Sequence, residues 1–260
     1  MKKDNKFIAV IVVLSAVIIL QWVFIANIGR VKKPEVKPVI PKAAPRIAIV
    51  LDDWGYNLNS LSIVGQIRYP VTMAVLPNLA YSKTVARELQ KKGFETILHL
   101  PMQPREKMRL EKNTIMTSNS EAEIKNILNK GLSGLPVSGV SNHMGSAATA
   151  DIRTMRVIFE ELKKRNLYFL DSYVVSNSVC QELARKMRVR FAKRDIFLDN
   201  VSDTQYIKNQ VYKLKLKAKF YGYAIGIGHD RKATLEVLAQ VMPQLEKEGY
   251  KFVFLSELVK

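Results

Sequence analysis

Residues 46–54, RIAIVLDDW, decide how this chain is read. Ile47–Leu51 is an apolar run, rich in β-branched side chains and too short for an ordinary helix, so a buried strand is expected there. Two aspartates, Asp52 and Asp53, end it. The same event recurs downstream, a short apolar run followed by polar groups. Further strands are expected at Val71–Leu76, Thr96–Leu100, Gly139–His143, Leu167–Leu170, Val189–Ala192, Tyr223–Ile227 and Phe252–Leu255. Amphipathic helical patterns lie between them at Tyr81–Lys92, Glu121–Lys130, Ile152–Arg165, Asn177–Met187, Thr204–Lys217 and Lys232–Glu248. Ser120 with Glu123, and Ser202 with Gln205, fit capping boxes, while Gly93 and Gly249 fit helix C-termini. Such alternation with right-handed crossovers gives an α/β fold, either a closed (β/α) barrel or a doubly wound open sheet. Periodicity leaves both open.

Upstream of this stretch, residues 33–45 (KPEVKPVIPKAAP) hold four prolines and no hydrophobic period, which reads as a stiff spacer. Before the spacer, Phe7–Ile28 is a run of 22 uncharged residues flanked by lysines and arginines. As a helix it would reach about 33 Å, enough to cross a hydrocarbon core, and it exceeds the apolar region of a cleaved signal peptide. The expected organisation is a signal anchor over residues 1–30, a linker over 31–45 and one globular domain over 46–260. Basic residues flank the run on both sides, so charge alone does not orient it.

The chain carries a net charge of +18, and the 33 basic and 21 acidic residues from Arg46 onward leave +12 there. That field favours polyanions without choosing among nucleic acid, anionic lipid and acidic wall polymers. The lysine run 213–219 reads as a solvated helix face, and nucleic acid is not expected as a partner. A single cysteine, Cys180, excludes an intrachain disulfide and a cysteine-built zinc site. It reads as small buried filler.

Polar residues gather just past the strands. Asp52 and Asp53 follow the first, His99 lies in the third, and Asn142 and His143 end the fourth. Asp171 and Ser172 follow the fifth, Arg194 and Asp195 the sixth, and Gly228 and His229 the seventh. All three histidines of the chain belong to this set. In a parallel α/β sheet the C-terminal strand ends share one face, where active sites form. Each residue alone has a plainer reading, as a helix cap, a hydrogen-bonded core histidine or a structural ion pair. Together, two imidazoles and a carboxylate at one barrel mouth suit a divalent metal with an open position. The second aspartate can serve as a base and His229 as a general acid. Asp171, Arg194 and Asp195 are expected either beneath the site as an ion pair or near substrate.

At these residues the sequence resembles the divergent polysaccharide deacetylases, distant relatives of the chitooligosaccharide deacetylases. The likeness runs from Arg46 to Lys260 and rests on IAIVLDDWGYN (47–57), VTMAVLPNLAYS (71–82), ETILHLPMQP (95–104), GVSNHMGSAATAD (139–151), LYFLDS (167–172) and GIGHD (226–230). The resemblance implies a distorted (β/α) barrel, usually of seven strands and here possible with eight, and a divalent metal, generally zinc. It also implies export, which would place the domain outside the cytoplasm on a membrane-anchored N-terminus. Carried over by motif, Asp52 resembles the catalytic base, Asp53 the metal-binding carboxylate, His99 the first metal histidine and His229 the late acid. Gln103 stands where a second metal histidine is usual, so His143 from the next strand is expected to complete the ligand set. Asn142, Asp171, Arg194 and Asp195 are expected in substrate-binding or supporting positions. The implied activity is removal of acetyl groups from an envelope glycan. The competing expectation is a non-catalytic envelope protein that keeps the barrel and metal but only binds a glycan or partner.

Overall fold

The computed structural model describes residues 16–22, 24 and 43–260. Residues 16–22 and 24 are helical, and among the described residues no helix is long and apolar enough to cross a membrane. The expected anchor (1–30) and linker (31–45) otherwise lie outside the described residues. From Ala43 onward the chain forms one unit.

That unit is built on nine strands. They are β1 (Arg46–Trp54), β2 (Thr72–Val75), β3 (Glu95–Met102), β4 (Gly139–Met144), β5 (Tyr168–Asp171), β6 (Phe191–Lys193), β7 (Ile196–Phe197), β8 (Tyr223–His229) and β9 (Lys251–Phe252). Seven helices alternate with them: α1 (Leu61–Val64), α2 (Ser82–Lys91), α3 (Glu121–Leu132), α4 (Ile152–Lys164), α5 (Cys180–Met187), α6 (Thr204–Tyr221) and α7 (Lys232–Lys247). Every pairing is parallel, in the order β6-β5-β4-β3-β2-β1-β8-β7, with β9 added beside the start of β1. The sheet curls into the expected distorted barrel. Two of its strands, β7 and β9, have only two residues each, too few to carry any periodic signal.

Closure is incomplete for a reason visible in the backbone. β6 runs straight into β7 through Arg194 and Asp195. The Arg194 N–H bonds to the Asp171 carbonyl of β5, and the next N–H, of Asp195, bonds to Ile225 of β8. A single extended segment therefore changes partner in the middle, leaving one gap at each end. At the end where strands finish, the Arg194 side chain fills the gap. Its Nε and Nη2 donate to the carbonyls of Ser172 and Tyr173 at 2.6 and 2.9 Å, and its guanidinium lies 3.7 Å over the Phe197 ring.

The period-two alternation of strands sorts the core into two layers. Ile47, Ile49 and Leu51 of β1 face the helices, together with Leu98 and Phe169. Ala48 and Val50 face the barrel interior with Ala74, Ile97, Leu170, Ile225 and Ile227. Val253, Leu255 and Leu258 close the floor of that interior. The same alternation continued upward puts Asp52, His99 and His229 inside the barrel at its mouth, because each follows an interior residue by two positions.

Helix ends mostly follow the expected chemistry. Ser120 and Glu123 form the capping box that opens α3. Ser202 does not open α6; Asp203 does, its carboxylate accepting the Tyr206 N–H at 2.7 Å. A carboxylate is at least as good a cap as a serine hydroxyl, so the later residue wins.

A carboxylate and imidazole cluster at the barrel mouth

Asp52 and Asp53 reach the same place although they are neighbours in a strand. A regular strand would aim them at opposite faces. Here β1 carries a bulge: its pairing with β2 passes from Leu51↔Met73 to Trp54↔Val75, three steps against two. Asp53 sits in that bulge with φ +69°. Such left-handed backbone is costly for a residue with a side chain and marks sites where a group is re-aimed. Met144 (φ +55°), the last residue of β4, and Tyr173 (φ +49°), just past β5, are in the same region. Three residues at the mouth thus share this backbone conformation.

Three possible ligating atoms converge there. Asp53 Oδ1 lies 3.0 Å from His143 Nδ1 and 3.4 Å from His99 Nε2, and the two imidazole nitrogens are 3.2 Å apart. A tetrahedral centre with bonds of about 2.0–2.1 Å separates its ligand atoms by about 3.3–3.4 Å. The triangle fits that spacing. Asp53 Oδ1 is buried and satisfied by no ordinary hydrogen bond. His99 Nδ1 meets Ser141 Oγ at 2.8 Å, which favours the tautomer whose Nε2 lone pair faces the cluster. Burial pushes the His99 pKa down to about 4 against the pull of Asp53, so the ring is neutral at pH 7, as a ligand must be. Burial also opposes ionisation of Asp53, but the close approach of the His143 and His99 rings outweighs it and holds the carboxyl far below its usual range. The chemistry of this donor set fits a divalent metal.

Gln103 is elsewhere engaged. Its Oε1 accepts from the Thr117 N–H at 2.7 Å and the Thr117 hydroxyl at 2.9 Å, tying the loop after β3 to the barrel.

Asp52 is buried beside this cluster, with Oδ2 3.6 Å from His99 Nε2 and Oδ1 without a partner. Burial first, and then Asp53, push its carboxyl well above the usual range. Across the β1–β8 ladder its register partner is His229. His229 is held by Asp199, which sequence reasoning missed. Asp199 Oδ1 meets His229 Nδ1 at 2.7 Å, while Oδ2 accepts from the His229 N–H at 2.8 Å and the Thr234 hydroxyl at 2.6 Å. Burial would lower the His229 pKa, but Asp199 raises it on balance. The ring also stacks on Phe197, the ring Arg194 covers from its own side. Asp199 follows β7, so the rule that polar groups follow strands applies to it too; its strand was too short to recognise.

The remaining expected residues divide. Asn142 braces β4 to β5, accepting from the Ser172 N–H at 2.9 Å and donating to the Met144 carbonyl at 2.6 Å. Asp171 accepts from the Tyr173 N–H and the Ser178 hydroxyl, shaping the loop after β5. The expected ion pair of Arg194 with Asp171 or Asp195 is not formed among the described residues: Arg194 donates to carbonyls instead. Asp195 belongs to the opposite gap of the barrel, where it accepts from the Ile225 N–H and pairs with Lys217 at 2.8 Å. The partner change at residues 194–195 turns the two side chains to different ends.

A curled parallel barrel with such a cluster at its mouth is the architecture of a hydrolase-like α/β barrel. The chain belongs to the divergent polysaccharide deacetylase family, whose profile its residues 49–259 match. It is 34% identical over 206 residues to the uncharacterised protein YibQ of Escherichia coli K12, covering 79% of this chain and 65% of that one. The chain thus spans just under two thirds of that relative. Its fold is similar to that of an uncharacterised protein of Agrobacterium tumefaciens C58 (TM-score 0.80, 19% identity, 85% of this chain and 92% of the other). It is also similar to the catalytic domain of a peptidoglycan N-acetylglucosamine deacetylase from Eubacterium rectale ATCC 33656 (TM-score 0.54, 15% identity, 85% and 90%).

Proposed function

We propose that this protein is a metal-dependent hydrolase that removes acetyl groups from an envelope polysaccharide. One observation carries the reading: the triangle of Asp53 Oδ1, His99 Nε2 and His143 Nδ1 beside two further titratable groups, the buried Asp52 and the half-buried His229. Asp53, His99 and His143 would hold the metal, for which zinc suits two imidazoles and a carboxylate. A divalent metal there supplies Lewis acidity, polarising an acyl carbonyl and making water more acidic.

The chain's own groups account for the proton movements. Asp52 accepts a proton from the attacking water, and its raised proton affinity suits that role. His229, whose imidazolium form Asp199 favours, gives its proton to the departing amine nitrogen. The water's oxygen bonds to the acyl carbon as the carbon–nitrogen bond breaks, leaving acetate and a free amine. Arg194 and Phe197 keep the His229 ring flat against its support. The non-catalytic alternative shares the metal but predicts no acetate. Metal-loaded protein incubated with N-acetylglucosamine oligomers and peptidoglycan is expected to release acetate. A fully metallated protein that is inert on every N- or O-acetylated glycan would move the assignment to glycan binding.

We further propose that residues 1–30 anchor the protein, 31–45 space it from the membrane, and the domain from Arg46 onward faces the extracytoplasmic side. The 22 uncharged residues of Phe7–Ile28 and the proline-rich stretch support this. Protease added to intact spheroplasts is expected to digest the domain; complete protection would reverse the topology.

A further inference from the structure

The outer face of α6, which runs along the barrel wall toward the floor opposite the mouth, has its own chemistry. Helix α6 buries Ile207, Val211, Leu214 and Ala218 against the sheet. Directly opposite, at spacings of four, Tyr212, Leu216 and Phe220 point outward and are 56%, 46% and 76% exposed, and Tyr221 beside them is 64% exposed. An apolar ridge aimed at solvent from a helix that already buries its other face has no role in packing this domain. Exposed lysines flank it on both sides, Lys213 on one and Lys219 on the other.

The ridge ends beside the lower gap left by the partner change of β6 and β7. A cavity of about 870 Å³ opens there, lined among others by Arg185, Arg188, Arg190 and Lys217. Its one acidic lining residue, Asp195, is already paired with Lys217. Arg185 and Arg188 are exposed and form no ion pair among the described residues. The domain's first strand starts at the same place, where the Arg46 N–H bonds to the Gly222 carbonyl, one residue past Tyr221.

We propose that this end of the barrel docks on an anionic phospholipid surface, with Leu216, Phe220 and Tyr221 entering the headgroup region and the surrounding cations meeting lipid phosphates. A helix that presents aromatic and leucine side chains between lysines matches interfacial binding, in which apolar burial and attraction to anionic lipid add together. Nucleic acid fits less well, because Leu216 at the centre of the ridge separates Tyr212 from Phe220 and interrupts any run of aromatic faces for successive bases. The chain also enters the domain at this end, downstream of the uncharged run Phe7–Ile28. The inference is independent of the deacetylase reading.

Among the described residues every buried apolar side chain lies between Ile47 and Leu258, so residues 43–260 carry their own core and are tested without the N-terminal segment. Sedimentation with phosphatidylcholine–phosphatidylglycerol vesicles is expected to capture this domain, about tenfold or more better than pure phosphatidylcholine, and less so as salt rises. Two double variants, Leu216→Ser with Phe220→Ser and Arg188→Glu with Lys213→Glu, should each lower binding about tenfold while the circular dichroism stays native. Equal binding to both vesicle types, or undiminished binding by the serine pair, would overturn the proposal. So would tighter binding of a single-stranded oligonucleotide than of anionic vesicles at the same ionic strength, since the surface would then serve nucleic acid.

Discussion

Asp52→Asn is expected to lower kcat for acetate release by about 10²–10⁴ while metal content stays at the wild-type level, and His229→Ala to do the same. The two groups are register partners across the β1–β8 ladder, and their surroundings raise the proton affinity of both. Burial gives Asp52 a raised affinity for a proton, and a cation at the neighbouring cluster would offset that shift enough to keep the carboxylate available. Partial burial works against the charged form of His229, but Asp199 more than compensates and favours the imidazolium. The pH profile separates these roles from a structural one. An acid must enter the step protonated, so the rate falls as pH rises through the His229 pKa. Asp199→Asn keeps the hydrogen-bonding shape but removes the charge that raises this pKa, so the alkaline limb should move to lower pH. A profile that only shrinks, with both limbs in place, would mean that Asp199 merely supports the fold.

His143→Ala is expected to abolish stoichiometric metal binding, whereas Gln103→Ala should leave metal content near the wild-type value. Elemental analysis after loading and desalting checks both. The loss should exceed the roughly 10–100-fold that removal of an outer supporting residue costs, since one of three ligating atoms disappears. The contrast comes from geometry: His143 Nδ1 is 3.0 Å from Asp53 Oδ1, while both hydrogen bonds accepted by Gln103 Oε1 come from Thr117. A metal lost from the Gln103 variant alone would show that the amide, not the imidazole of the next strand, completes the site.

The distance between sequence and structure is instructive at particular residues. The apolar runs of β1, β3, β5 and β8 were legible because burial on both faces leaves a continuous hydrophobic signature. The polar residues that follow them stood out for the same reason. Asp199 did not, because β7 is two residues long and its role depends on the chain changing partner between Arg194 and Asp195. That change is a tertiary event with no local pattern. It also explains why Asp195, adjacent to Arg194 in sequence, ends up with Lys217 at the other end of the barrel. The bulge at Asp53 was equally hidden: the residues Asp52-Asp53 are plain in sequence, but their sharing of one mouth requires a positive φ that no composition announces. The aromatic ridge of α6 was masked by the lysines around it, which suggested an ordinary solvated face.

An anomalous difference map recorded at the zinc edge on crystals of the zinc-loaded protein tests the central claim most directly. It should show one strong peak within bonding distance, about 2.0–2.2 Å, of Asp53 Oδ1, His99 Nε2 and His143 Nδ1. No peak at the mouth in fully loaded crystals, or a peak there with His143 turned away, would contradict the ligand set on which this account of the chemistry rests.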